Sequence, residues 1–198
     1  MALTTRRAVA STAIALSLLG ACSSVVPSPA PSPSPSPAVT ANVAPVGQMV
    51  LATVPDGDLR LTISATHGSY APGEPIEVAA ELAYLGPHDA VKVAGSGSGL
   101  VLFGLKQLDG RFEMGYSATD DCVPYTLEQG KPTTVAYSKS GGYGADDPDA
   151  AFWTQFFADP LLRLPVGRWQ ITARATFLGP GCKLPTRMVD APLVIEVR

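Results

Sequence analysis

Apolar and polar side chains alternate along four runs of the chain, with an apolar residue at every second position. The runs cover residues 59–64, 76–84, 168–177 and 191–197. A period of two places all apolar side chains on one face of a strand and the polar ones on the other. A strand with one buried face and one solvent-exposed face is typical of antiparallel sheets, whereas strands of parallel sheets are apolar on both faces.

Turn-forming residues separate these runs. Pro72-Gly73, Gln129-Gly130 and residues 165–167 mark three junctions between strands. Asp109-Gly110 predicts a tight hairpin in which both central residues have positive φ. Short strands at regular spacing are typical of a β-sandwich or a barrel. We favour a sandwich, because residues 138–164 interrupt the even spacing that a closed barrel needs.

One helix is predicted within this all-β pattern, over residues 147–160. Asp147 is placed to cap its N-terminus, Pro148 suits its first turn, and Pro160 ends it. We therefore expect a sandwich with one short inserted helix.

Four large aromatic residues share this helix: Phe152, Trp153, Phe156 and Phe157. They either cap an open end of the sandwich or stay partly exposed as a platform for a partner. One helical face cannot easily bury all four, because Phe152 and Phe157 are separated by about 140° around the helix. We expect Phe152 and Phe156 to be buried and Trp153 or Phe157 to be more exposed. Trp153 and Phe157 are therefore the candidate binding surface.

The N-terminus has the organisation of a bacterial export signal. Arg6-Arg7 precedes an apolar run at 8–20, which is shorter than the ~20 residues that span a bilayer. The following sequence, Leu19-Gly20-Ala21-Cys22, resembles the lipobox of bacterial lipoproteins. The resemblance implies removal of residues 1–21 as a signal peptide and export of a protein anchored to the cell membrane by diacylglycerol on Cys22. Both the general secretory route and the twin-arginine route remain open.

The rest of the chain divides into a stalk and a domain. Proline occupies every second position from 27 to 37, which favours an extended polyproline helix. We predict a Pro/Ser-rich stalk over residues 22–46 that begins at the lipidated cysteine. The remaining residues, 47–198, have the size of one domain.

The charge of the chain limits the class of partner, and its cysteine content indicates the cellular compartment. The chain carries 14 basic and 17 acidic residues without a basic cluster, which argues against a nucleic-acid partner. With Cys22 assigned to the lipid, Cys122 and Cys182 remain for an oxidising compartment, and we predict that they form a disulfide. A metal or redox pair is the alternative, although no Cys-x-x-Cys spacing is present.

Three segments carry a resemblance to a known family: SYAPGEPIEV at 69–78, residues 125–137, and LPVGRWQI at 164–171. They resemble, in that order, the early strands, the mid-domain strand–turn–strand and the start of the penultimate strand of bacterial immunoglobulin-like extracellular domains. The resemblance implies an immunoglobulin-like antiparallel β-sandwich over most of residues 58–198. It implies little about activity, because such sandwiches host unrelated functions.

Few residues offer catalytic chemistry. His67 and His88 are the only histidines, and both lie at predicted turns. Ser96, within GSGSG at 95–99, lacks the strand-to-helix turn of a nucleophile elbow. We therefore assign no catalytic residue, no metal and no cofactor.

Two hypotheses of metal binding are alternatives to this assignment. The acidic residues at 120–121 and 146–149 offer the oxygen ligands that calcium prefers, but their spacing matches no known loop. Histidine and methionine side chains could bind copper, but again without paired spacing. The residues concerned are His67, His88, Met114 and Met188.

Together these patterns predict a non-enzymatic protein of the cell envelope that acts as a binding or interaction module. Its expected partners are the membrane, through the lipid on Cys22, and an unknown envelope protein or glycan. An extracellular protease inhibitor is the alternative, and a calcium- or copper-handling module is a third interpretation.

Overall fold

The computed structural model describes residues 48–198, apart from the side chains of residues 180 and 183–185. The predicted signal peptide at 1–21, the lipidated Cys22 and the stalk at 22–46 therefore lie outside the described residues. The described chain is an all-β sandwich with a single short helix, as predicted.

Its elements follow one another mostly through short loops. In chain order they are β1 (Val50–Asp56), β2 (Leu59–Ala65), β3 (Ser69–Tyr70), β4 (Val78–Tyr84), β5 (Ala90–Gly95), β6 (Val101–Gln107), β7 (Glu113–Met114), β8 (Val123–Glu128), β9 (Thr133–Ala136), α1 (Ala150–Ala158), β10 (Gly167–Gly179) and β11 (Lys183–Val197).

Two sheets form the sandwich. The smaller sheet has the order β1-β2-β4-β9 and is antiparallel throughout. The larger sheet has the order β3-β11-β10-β5-β8, with β6 lying beside β10 and carrying β7 on its far edge. Only the short β3 runs parallel to its neighbour, β11. The predicted preference for antiparallel pairing is confirmed.

The core lies between the sheets and is built by the alternation visible in the sequence. In β10, Trp169 and Ile171 are fully buried, while the alternating residues Arg168 and Gln170 point away from the core. β10 is paired on both edges, with β11 on one side and mainly β6 on the other. This strand is therefore fixed at the centre of the larger sheet.

The hairpin predicted at Asp109-Gly110 exists, but its turn differs from the prediction. The backbone N–H of Gln107 donates to the carbonyl of Phe112, so four residues connect the paired ends of the hairpin. Neither Asp109 nor Gly110 has positive φ, because a four-residue connection does not impose the twist of a two-residue turn. A two-residue connection instead joins β1 to β2, where Gly57 has a φ of 53°.

The strand junction predicted at Gln129-Gly130 is confirmed, since it joins β8 to β9. These two strands lie in different sheets, so the segment crosses the sandwich. One strand boundary differs from the prediction. β11 begins at Lys183, eight residues before the run predicted at 191–197, and extends the long hairpin with β10.

The predicted disulfide between Cys122 and Cys182 is confirmed. It links the segment before β8 to the turn between β10 and β11, with the two Cα atoms 5.8 Å apart. This separation lies within the usual range for a disulfide.

Candidate binding surface around the helix

The helix α1 begins two residues later than the sequence predicts. Asp149, not Asp147, occupies the N-cap position, and its side chain makes no capping hydrogen bond. The Asp149 carboxylate pairs with Arg111, while Asp147 accepts a hydrogen bond from the backbone N–H of Asp149 at 2.8 Å. Asp147 therefore shapes the turn before the helix.

The prediction of which aromatic residues are buried is partly wrong. Trp153 and Phe156 are buried, at 6% and 5% exposure, whereas Phe152 and Phe157 are partly exposed. Residues three apart lie about 60° from each other around a helix, so Trp153 and Phe156 form the centre of the buried stripe. Phe152 and Phe157 each fall about 70° from that centre, on opposite sides. Trp153 therefore belongs to the core, and Phe152 replaces it at the surface.

On one side of the helix, Phe112 connects Phe152 to the core. The Phe112 and Phe152 rings stack with centroids 4.1 Å apart, and Phe112 also lies parallel to Trp169 at 6.3 Å. Phe112 was not among the predicted site residues. The available signal was the alternation of apolar Phe112 and Met114 directly after the predicted hairpin turn at Asp109-Gly110. The stack holds the partly exposed Phe152 in a fixed position.

On the other side, Phe157 pairs with Tyr143. Their rings are nearly parallel, 5.9 Å apart, and Tyr143 is 40% exposed. The hydroxyl groups of Tyr143 and Thr154 are hydrogen-bonded at 2.8 Å, which ties the loop before the helix to the helix itself. Phe157 and Tyr143 therefore form a second aromatic surface. Phe157 was one of the two residues that the sequence predicted for a binding surface.

Lys139 holds the C-terminal end of α1. Its ammonium group donates to the backbone carbonyls of Phe156, Asp159 and Leu161, and it lies 4.1 Å from the centre of the Phe156 ring. The last carbonyls of a helix have no partner within the helix and favour a nearby positive charge. Burial lowers the pKa of Lys139, and the neighbouring Asp159 carboxylate opposes that shift. Lys139 is therefore a side-chain cap that the sequence did not reveal.

A cavity of about 300 Å³ opens beside this end of the helix. Phe152, Phe156 and Pro165 supply apolar parts of its lining, and Gln155 supplies an amide. Charged groups complete the lining, where Arg163 pairs with Asp159 at 2.6 Å. The N–H of Leu161 and the Arg163 guanidinium lower the pKa of Asp159, so this carboxylate is charged at neutral pH.

The other candidates from the sequence do not form a common site. His67 pairs with Glu74 at 3.1 Å in the loops flanking β3, while His88 is exposed beyond the other end of β4. Met114 is buried in the core, and Met188 is 60% exposed. The structure therefore does not bring the four proposed copper ligands together.

The acidic segment at 120–121 shapes a loop. Asp121 accepts hydrogen bonds from the backbone N–H of Gly97, at 2.7 Å, and from the hydroxyl of Thr119. These bonds lower the pKa of Asp121, the Thr119 hydroxyl having the largest effect. Thr119 also contacts Ser96 and Ser98, so the GSGSG loop is held by its neighbour. Across residues 48–198, no three His, Cys, Asp or Glu side chains are gathered as metal ligands.

The part of the chain that the structure covers holds no helix long and apolar enough to cross a membrane. A scan against models of known protein families found no match to this chain, and neither did a search among curated proteins.

Proposed function

We propose that this chain is a non-enzymatic, lipid-anchored binding module of the bacterial cell envelope. The observation that carries the binding role is the pair of partly exposed rings, Phe152 and Phe157, fixed beside the buried Trp153 and Phe156. Aromatic side chains that are already ordered lose little entropy on binding and dominate many recognition surfaces. The surface fits an envelope protein or a glycan as its partner.

The disulfide supports the proposed compartment. Cys122 and Cys182 pair with each other, and the chain has only three cysteines. Disulfides persist in oxidising environments outside the cytosol. Cys22 is then the one cysteine left for the lipid that its sequence context implies.

The anchoring part of the proposal is tested with the Cys22→Ala variant of the full chain. We expect the wild-type protein to fractionate with membranes and to incorporate an alkyne-labelled fatty acid, and the variant to do neither. A variant that stays with the membranes after a high-salt wash contradicts lipid anchoring.

The binding part is tested by crosslinking in intact cells followed by mass spectrometry. We expect at least one crosslinked species that is lost in the Phe152→Ala/Phe157→Ala double variant. Leu85→Ala is the matched control, because Leu85 is 49% exposed and lies after β4, away from the helix. The same crosslinked species in all three proteins would contradict a binding role for the aromatic surface.

A further inference from the structure

A polar groove crosses the outer face of the larger sheet, on the side away from the core. Its volume is about 420 Å³. The floor is formed by the outward side chains of β10, including Gln170, Thr172 and Arg174, which alternate with the buried Ile171 and with Ala173. Thr172 is only 8% exposed although it points away from the core. The outer face of this sheet is therefore concave at its centre.

One wall of the groove is built by the segment that follows β7. Tyr116 lies directly over Gly104 of β6, where a Cβ atom would come within 2.9 Å of the Tyr116 Cζ. The guanidinium of Arg174 stacks against the Tyr116 ring at 4.1 Å. Burial raises the pKa of Tyr116, so its hydroxyl stays neutral and able to donate a hydrogen bond. Glycine at position 104 and the stacked Arg174 thus hold the wall in place.

Two ion pairs line the groove and balance its charge. Lys106 and Glu113 pair at 3.0 Å, and Arg174 makes a two-pronged contact with Asp190, with both bonds at 2.7 Å. Arg174 uses Nε and Nη2 in that contact, which leaves Nη1 without a partner among the described residues. A carboxylate also retains acceptor capacity beyond one ion pair. The groove therefore offers free donors and free acceptors without a net charge.

We propose that this groove binds a neutral, polyhydroxylated sugar, as a short glycan segment. Each sugar hydroxyl can both donate and accept a hydrogen bond, which suits alternating cationic and anionic groups. A ligand with a net charge would instead meet a like charge beside each group that attracts it, because every charged group in the groove is paired with one of opposite sign. The inference rests on the proposed binding function but uses a surface separate from the helix.

The architecture of the sheet disfavours other classes of ligand. A peptide that adds as a strand needs an unpaired strand edge, but β10 is hydrogen-bonded to β11 and β6 on its two sides. A lipid chain would remove water from four charged side chains without offering them hydrogen bonds. A ligand in this groove is therefore recognised by side chains and not by backbone groups of the sheet. This favours a hydroxyl-rich ligand of the size of a few sugar rings.

The proposal is tested by nuclear magnetic resonance on the isotope-labelled full chain carrying Cys22→Ala, titrated with cellotriose and with tri-N-acetylchitotriose. We expect at least one sugar to cause saturable shifts confined to residues 104–106, 113–116 and 170–174, with a millimolar or tighter dissociation constant. Loss of charge-assisted hydrogen bonds should make Arg174→Ala bind about tenfold more weakly. Asp190→Asn, which keeps the shape of the side chain, should also weaken binding.

Arg187→Ala is the control variant, because it breaks a comparable surface ion pair with Asp56 outside the groove. It should bind as the parent does. No saturable shifts in the groove with either sugar, or equal affinity in the parent and both groove variants, would overturn the proposal. Tighter binding of tetra-alanine or of a glucuronic acid trisaccharide would also overturn it. This titration requires neither membrane attachment nor the aromatic surface, so its failure leaves the proposed function intact.

Discussion

At the scale of single residues, the hydroxyl of Tyr137 is an unfavourable feature of the described domain. The ring packs against Phe103 with centroids 5.2 Å apart, and the hydroxyl is buried without a hydrogen-bond partner among the described residues. Burial also raises the pKa of this phenol. A buried polar group that makes no hydrogen bond costs about 1–3 kcal/mol.

Tyr137→Phe should therefore raise the free energy of unfolding by about 1 kcal/mol, because it removes the unpaired oxygen and keeps the ring. Urea denaturation of the variant and the parent measures the difference. Tyr70→Phe is the matched control, since the Tyr70 hydroxyl accepts from the backbone N–H of His67 and bonds with Thr66. That control should lose stability. A loss in Tyr137→Phe as well would show that the Tyr137 hydroxyl has a partner.

Lys139, in contrast to the Tyr137 hydroxyl, is a polar group with several hydrogen-bond partners. Its ammonium group donates to three backbone carbonyls. Lys139→Met keeps much of the apolar stem but leaves three carbonyls without their donor. We expect a loss of about 1–2 kcal/mol in the free energy of unfolding, measured by urea denaturation. Lys92→Met, at an exposed position on β5, should change stability by less than about 0.5 kcal/mol. Equal effects of the two substitutions would argue against Lys139 as a helix cap.

At the scale of elements, α1 depends on its surroundings. It has nine residues and no side-chain hydrogen bond at its N-cap, and isolated helices of this length are not stable in water. The buried stripe of Trp153 and Phe156 and the Lys139 cap supply what the local sequence lacks. The helix should therefore form together with the core.

Alanine substitutions at the centre and at the edge of this stripe should differ in how much they lower the free energy of unfolding. Trp153→Ala should destabilise the protein by about 3–5 kcal/mol, because Trp153 is buried among the rings of Phe112 and Phe156. Phe157→Ala should cost about 1 kcal/mol, because that ring is already partly in water. Thermal and urea unfolding of both variants measure the difference. Equal losses would mean that Phe157 is also part of the core.

The sequence allowed the alternating strands, the position of the helix and the disulfide to be predicted, because each depends on local pattern or on simple counting. Burial within the helix was predicted less well. Phe152 with Phe156 and Trp153 with Phe157 have the same spacing of four residues, so the helix sequence alone does not show which pair faces the core. The residue that packs against the helix decides this. That residue is Phe112, 40 residues earlier in the chain. The groove over β10 depends on Tyr116, in the segment after β7, lying over Gly104 of β6, and no local sequence pattern shows this long-range contact.

At the scale of the whole domain, the two ends of the sandwich are closed by different means. The helix and its aromatic residues pack near the start of β10, around Trp169. The disulfide lies beyond the other end of the same strand, after Gly179. Met49 and Leu161 line one cavity of about 460 Å³, so the described chain begins near the helix and away from the disulfide.

Loss of the disulfide should lower the free energy of unfolding of the whole domain. Within the native state, however, it should increase local opening at only one end of the sandwich. The bridged cysteines are 60 residues apart in sequence, and closing such a loop stabilises the folded state by about 4 kcal/mol in the chain-entropy model. We expect this loss in the Cys122→Ser/Cys182→Ser double variant made in the Cys22→Ala background, measured by urea denaturation. In the native state, hydrogen exchange should increase at residues 117–122 and 179–183 and remain unchanged in α1.

The parent for this comparison is the Cys22→Ala chain, which should show no reactive thiol before reduction and two afterwards. The pairing of β10 with β11 and of β5 with β8 uses backbone hydrogen bonds rather than the cysteine side chains, so the sheets should keep their native circular dichroism. Thiols that react in the native parent would contradict the disulfide. Faster exchange in α1, at the far end of β10, would show instead that the bridge supports the domain as a whole in its native state.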